Sequence, residues 1–416
     1  MYEKITLSNG VRVVFERIDH VRSASLGVWV GAGSRHETAA LSGASHFIEH
    51  MVFKGTATRT AAQLAQFMDS AGGQINAFTT KECTCFHGRV VDTRLGELTD
   101  VLGDMLLRSN FAESDIESER GVIFEEIDMC YDTPEELVSE RLFEAVYRGG
   151  ALARPILGRR ATLSKMTGES LKAYMGRRYL GGSIVVALSG SFTDGDLRRV
   201  EEVFSAFPAG GGQKPTPASY SPARISKRKQ LEQNHITLAF PGVSVGEERR
   251  YAMQMLSDIL GGGMSSRLFQ KVREERGLCY SIYSYASSYV DTGLFSVCTA
   301  LGAEAQGEAL GVILGEIRRL RDDGITAEEL ALAREQVEAN VLMSLESTSA
   351  RMNRLGRNEL YFGKVLEPEE TIARYEAVTA EDILLLAREL LTAEAMSVSV
   401  IGRGVAKAEA LDIPAF

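Results

Sequence analysis

Apolar and polar positions along the chain follow two periods. Between Ile5 and Glu16 apolar residues flank an Asn9-Gly10 pair, a dipeptide that tight hairpin turns select because it tolerates positive φ. Ala24 to Val30 alternates as a strand does, and Gln74 to Val91, rich in Phe, Thr and Val, predicts a further pair of strands. Thr93 to Arg108 and Ser114 to Tyr147 carry the longer period of amphipathic helices. Ser114 followed three residues later by Glu117 is a capping-box pattern, which predicts a helix start at Ser114. The Gly and Pro density between Pro208 and Pro217 breaks both periods and predicts a linker. Strands followed by helices predict an α+β fold, an antiparallel-rich sheet with helices packed on one face.

The pattern occurs twice. Ser183 to Gly190 returns in character as Ala395 to Gly402, with Gly190 and Gly402 separated by 212 positions. At nearly the same shift Met166-Thr167 matches Val378-Thr379, Gly103-Asp104-Met105 matches Gly315-Glu316-Ile317, and Asp115-Ile116 matches Glu329-Leu330. The chain is therefore expected to hold two structurally similar repeats: a domain over 1–210, a linker over 211–222 and a second domain over 223–416.

Composition narrows the function. A formal net charge of −10 argues against nucleic acid and anionic membrane surfaces as partners, since both require clustered Lys and Arg. No apolar run approaches the roughly 18 residues of a membrane span, and residues 1–10 lack both the apolar core of a signal peptide and the Arg-rich pattern of a transit peptide. Five scattered cysteines do not make a disulfide framework and favour a reducing compartment, so the expected location is cytoplasmic. Cys83 and Cys85 share one strand face, but a lone Cys-x-Cys is weak evidence for metal. Gly261-Gly262-Gly263 lacks the Gly-Lys-Ser/Thr ending of a phosphate loop and predicts only a flexible turn.

The chemistry concentrates in His46-Phe47-Ile48-Glu49-His50. On a helix His46 and His50 are i and i+4, and Glu49 is i+3 from His46, so the three project from one face. Two neutral imidazoles can hold one metal ion while Glu49 takes a proton from the attacking water. A catalytic zinc needs a third protein ligand and leaves the fourth position open. Glu126, which lies 76 positions after His50, is the candidate, and Glu119, seven residues earlier on the same helix face, is its companion in the catalytic set with Glu49. Glu125 should point to solvent. At the shift of 214 the second repeat has Asn340 opposite Glu126 and no His pair, so only the first repeat is expected to bind metal. Twelve acidic residues against Arg120 and Arg141 between Glu113 and Glu144 describe either a solvated helical face or a negative wall that favours basic peptides.

The run from Gly43 to Tyr147 resembles the zinc-binding domain of the inverzincin peptidases, the group of pitrilysin, insulin-degrading enzyme and mitochondrial processing peptidase, whose helix reads His-x-x-Glu-His. Glu119 and Glu126-Ile127 match that family's distal glutamate context, and length and order are closest to its short bacterial members. The resemblance implies a zinc metalloendopeptidase with one Zn2+ per chain on His46, His50 and Glu126, acting on extended peptides. It also implies a clamshell formed with a partner chain, here expected to be a homodimer. Gly72 to Thr79 resembles the family's substrate-facing edge strand, with Asn76 and Ala77 as the contact positions. Arg273 and Tyr280 resemble an Arg and Tyr seven apart that hold a substrate carbonyl and the developing oxyanion. The rival implications are a noncatalytic scaffold or peptide-binding subunit, and a catalytic subunit that needs a different partner. Where family members often carry His-Pro, this chain has Arg154-Pro155, which puts loop contacts in doubt and leaves the metal residues untouched.

Overall fold

The computed structural model describes residues 2–70, 73–212, 214–403 and 405. Its strands are β1 (Glu3–Thr6), β2 (Arg12–Arg17), β3 (Ser23–Val30), β4 (Gln74–Thr79), β5 (Thr84–Val91), β6 (Ile184–Gly190), β7 (Arg224–Arg228), β8 (Asn234–Gly242), β9 (Cys279–Ser288), β10 (Gly293–Leu301) and β11 (Ser397–Gly402). In the first part of the chain the helices are α1 (Ala44–Met51), α2 (Ala61–Ser70), α3 (Leu95–Arg108), α4 (Glu113–Asp132), α5 (Pro134–Val146), α6 (Arg160–Leu163), α7 (Gly168–Arg178) and α8 (Asp194–Phe204). The remainder are α9 (Arg250–Gly261), α10 (Gln306–Asp323), α11 (Ala327–Ser344), α12 (Thr348–Phe362), α13 (Pro368–Glu376) and α14 (Ala380–Leu390). None of them is long and apolar enough to cross a membrane.

The predicted repeat is visible in the sheets. One has the order β1-β2-β6-β3-β5-β4 and the other β7-β11-β8-β10-β9. Without β1 the two orders are the same. In each, one pair is parallel, β2 with β6 and β7 with β11, and every other pair is antiparallel. The Asn9-Gly10 hairpin joins β1 to β2 as its sequence predicts, with Gly10 at φ +93°. The matched strand ends also coincide: β6 and β11 are the fully buried central strands that finish at Gly190 and Gly402.

The chain divides into two compact units. The first takes Met1–Ile127, Arg154–Thr216 and Leu342–Glu367; the second takes Asp128–Ala153, Pro217–Val341 and Pro368–Phe416. The division near Thr216 falls inside the predicted linker. Each unit, however, includes a segment from the other half of the sequence, for a reason that lies in strand burial. Val13, Phe15, Val28, Val30, Val186 and Leu188 face one side of the first sheet and pack with Phe47 and Ile48 of α1, Leu98 and Leu102 of α3, and Phe204 of α8. The alternate residues Val14, Trp29, Val185 and Ala187 face the other side and are equally apolar. A sheet with two apolar faces needs two covers, and α12 supplies the second with Met352 and Leu355, each burial contributing roughly 1.5–3 kcal/mol. In the second unit α5 does the same, placing Leu142 and Val146 against Ala239 and Leu294. The predicted helix layer on one face is thus joined by one further helix on the other.

Two local expectations need correction. Ser114 to Tyr147 is two helices, because Pro134 has no amide hydrogen and disfavours the α conformation at Thr133; it begins α5 instead. The capping box at Ser114 does not form: α4 starts at Glu113, whose Oε1 accepts from Gly168 N at 3.0 Å, and Glu117 pairs with Arg120. Cys83 and Cys85 are free thiols buried among Trp29, Val185 and Met352, and they act as small apolar residues. Gly404 and 406–416 of the predicted second domain, Gln213 of the linker and Gly72 of the edge-strand segment lie outside the described residues.

Candidate metal centre

Helix α1 is only two turns long, and its start is fixed by two devices. Gly43 sits at φ +98°, and a Cβ there would come within 2.8 Å of Gly158 Cα, so the chain can enter the helix only through glycine. Buried Glu37 then accepts from Gly43 N and Ser45 N, each at 2.7 Å, which satisfies free N–H groups at the helix start. Burial pushes the Glu37 carboxyl up to about 8 in opposition to those two donors. Phe47, Ile48 and Met51 bury the opposite face, which leaves His46, Glu49 and His50 on the other side.

Helix α4 brings the carboxylates. Glu126 Oε2 lies 3.6 Å from His46 Nε2, and Glu126 Oε1 lies 3.5 Å from His50 Nε2. These separations match the roughly 3.3–3.4 Å edge of a tetrahedron with bonds of about 2.0–2.1 Å, the geometry of zinc on nitrogen and carboxylate oxygen. Candidate ligand atoms of His46, His50 and Glu126 all lie within 4.8 Å of one another. Glu126 Oε2 is buried and makes no hydrogen bond, as expected of a ligand atom. Burial, then the nearby His50, pulls His46 down to about 4, so its imidazole is neutral and offers a lone pair. The donor set fits zinc. Glu125, by contrast, is exposed, as its position on the helix predicts.

Glu119 orients the second imidazole. Its Oε2 is 3.0 Å from His50 Nδ1, and its Oε1 is 2.6 Å from Lys54 Nζ. Burial works to raise this carboxyl, but Lys54 and His50 outweigh it and hold Glu119 below the usual range. An ionised Glu119 accepts the Nδ1 proton, so the Nε2 lone pair is the one that faces Glu126. Glu49 does not join the cluster of ligand atoms. Its Oε2 accepts from Thr79 Oγ1 at 2.5 Å, and burial raises its carboxyl against that hydrogen bond.

The chain is similar to known proteins along most of its length. Residues 12–160 match the family described as insulinase (peptidase family M16), and residues 165–337 match the peptidase M16 inactive domain. The chain is 42% identical over 396 residues to YmxG, an uncharacterized zinc protease of Bacillus subtilis, covering 94% of this chain and 96% of that protein. The chain belongs to the M16 peptidase family. Another relative in the family, an uncharacterized zinc protease of Streptomyces coelicolor, is 38% identical and covers 96% of this chain and 89% of its own length. A peptidase M16 inactive domain from Pseudomonas fluorescens has the same fold, with TM-score 0.91, 21% identity, and 98% and 99% of the two chains covered. A Helicobacter pylori protease superposes with TM-score 0.89 at 20% identity, covering 97% and 99%.

In this M16 chain the sequence-predicted residues fall into two groups. His46, Glu49, His50, Glu119 and Glu126 meet in the first unit. Asn76 and Ala77 are in the same unit on β4, the outermost strand of its sheet, where Asn76 Oδ1 accepts from Ala77 N at 2.8 Å. Arg273 and Tyr280 belong to the second unit and touch each other, the guanidinium carbon 4.8 Å from the centre of the Tyr280 ring. Tyr280 is 77% exposed. The acidic run is partly engaged: Glu117 pairs with Arg120, Asp132 with Lys229, and Glu135 accepts from Tyr283. Sequence reasoning missed Glu37, Lys54 and Thr79. Lys54 and Glu37 lack a motif, since their partners are a side chain on another helix and two backbone amides. Thr79 closes the predicted edge strand, but nothing in its spacing tied it to Glu49.

Proposed function

We propose that the chain is a zinc metalloendopeptidase that hydrolyses peptide bonds in extended peptides or unfolded segments. The observation that carries this reading is the convergence of His46 Nε2, His50 Nε2 and the Glu126 carboxylate, with Glu49 beside them and outside the ligand set. A zinc ion held by these three residues supplies Lewis acidity, which makes a water easier to deprotonate and a peptide carbonyl easier to attack. Glu49 takes the proton of the attacking water and returns it to the departing amine. Glu119, kept ionised by Lys54, fixes the His50 tautomer.

The open side of β4 supports a substrate held by main-chain pairing, a mode that tolerates many sequences. An incoming peptide would displace Asn76 Oδ1 from Ala77 N and take up that donor, while the small Ala77 side chain permits close approach. Arg273 binds a substrate carbonyl in this reading, and Tyr280 donates its hydroxyl to the oxyanion. The chain acts as a homodimer with one Zn2+ per chain.

The test combines a quenched-peptide library with metal analysis and gel filtration of the purified chain. Zinc-dependent cleavage by the chain alone, eluting as a dimer, supports the reading. A zinc-loaded chain that binds but never cuts peptides would move it to a scaffold or peptide-binding subunit. Cleavage that appears only with a different chain added would make it one half of a heteromer.

A further inference from the structure

The carboxylate of Glu49 has two oxygens, and their surroundings differ. Oε2 receives the Thr79 hydroxyl at 2.5 Å, a short charge-assisted contact. No donor among the described residues reaches Oε1. The direction of the Thr79 bond is set by the carboxylate itself, which when ionised only accepts and has no proton to give. Thr84 Oγ1, which donates to Ala32 O at 2.9 Å, is the other acceptor within reach, but at 3.5 Å and uncharged it is the weaker of the two. Thr79 therefore gives its proton to Glu49.

We propose that Thr79 is a positioning residue that dedicates Oε1 of Glu49 to proton transfer. This rests on the metallopeptidase reading above. When the attacking water loses a proton, the O–H electron pair stays on the water oxygen and the proton binds Oε1. Oε2 then becomes the carbonyl oxygen of a carboxylic acid and still accepts from Thr79, so the same hydrogen bond holds before and after the transfer. Without it the carboxylate turns about its last torsion, and a proton on Oε2 points into the strand. Thr79 and Thr84 form the last pair of the β4–β5 ladder. The edge strand proposed to receive substrate thus also carries the hydroxyl that aims the base.

The test uses Thr79→Val and Thr79→Ser in the full-length zinc enzyme. Valine keeps the β-branched shape that suits a strand, and serine restores the hydroxyl. Loss of a hydrogen bond to a charged group predicts roughly 10–100-fold lower kcat for Thr79→Val. KM and zinc affinity in a chelator competition should hold, and Thr79→Ser should recover most of the rate. In a Glu49→Gln background Thr79→Val should cost nothing further, because the group it positions is gone. An unchanged kcat in Thr79→Val, a full additional loss in the Glu49→Gln background, or weakened zinc binding overturns the role. If wild-type turnover does not fall on Glu49→Gln, the proposed function fails and takes this role with it. If turnover depends on Glu49 and ignores Thr79→Val, the role of Thr79 alone is wrong.

Discussion

The two repeats share a scaffold and differ in what they mount on it. Thr167 opens α7 by accepting from Ser170 N, and Thr379 opens α14 by accepting from Asp382 N. Asp104 in α3 and Glu316 in α10 are both buried carboxylates met by arginine, Arg59 and Arg108 in one case and Arg319 in the other. Where the first repeat carries Glu119 and Glu126 on α4, the same shift of 214 gives Ala333 and Asn340 on α11. Where α1 presents two imidazoles and a carboxylate, α9 buries Met255, Leu256, Ile259 and Leu260. Strand order and caps persist because packing and unsatisfied backbone groups demand them in both copies. The candidate metal centre depends on five side chains, His46, Glu49, His50, Glu119 and Glu126, that packing does not require, so such a centre can be absent from one copy without loss of fold.

The sharpest way to break this comparison is to remove one ligand. Glu126→Ala should bring metal content to background with circular dichroism unchanged, since both cores are apolar without help from the site, whereas Asn340→Asp should add no zinc to the second unit. Glu49→Gln should retain zinc and lose roughly 10²–10⁴-fold in turnover, measured on a quenched peptide. If the second unit is scaffold alone, Tyr280→Phe leaves kcat untouched; as an oxyanion donor its loss should cost roughly 10²–10³-fold. Glu119→Gln should weaken zinc about 10–100-fold in a chelator competition, through His50, while Glu49→Gln leaves that affinity alone. The smallest effect is on acid stability. Burial acts to raise Asp104, but hydrogen bonds from Thr56, Thr58, Arg108 and Arg59 prevail and hold it at about 2, against an ordinary value of 3.8. Its contribution is complete above the ordinary value and lost as pH falls toward about 2. Asp104→Asn should flatten the pH dependence of urea unfolding over that interval.

Much of this was legible in the sequence because it is periodic or locally spaced. Alternation identified β3, the Asn-Gly pair identified the first hairpin, and the i, i+4 histidines placed three groups on one face of α1. The seven-residue interval from Glu119 to Glu126 survives because α4 is a regular helix across it. Pro134 was visible too, but the acidic pattern on both sides of it concealed the break. What could not be read is nonlocal. Glu37 acts through backbone amides, Lys54 through a helix distant in sequence, and Thr79 through a side chain 30 positions away. The second cover of each sheet was hidden for the same reason: buried alternate residues announce that a partner exists without naming it.

That second cover has a consequence for how the chain is made. Val14, Trp29, Val185 and Ala187 are all synthesised by residue 187, but Met352 and Leu355, which close over them, come more than 160 residues later. At about 5–20 residues per second the nascent first sheet waits roughly ten to thirty seconds with an oily face exposed. A gene fragment ending at the linker would never see that wait end. Cutting this protein at its most obvious seam is therefore expected to yield an N-terminal piece that contains every candidate zinc ligand and still precipitates.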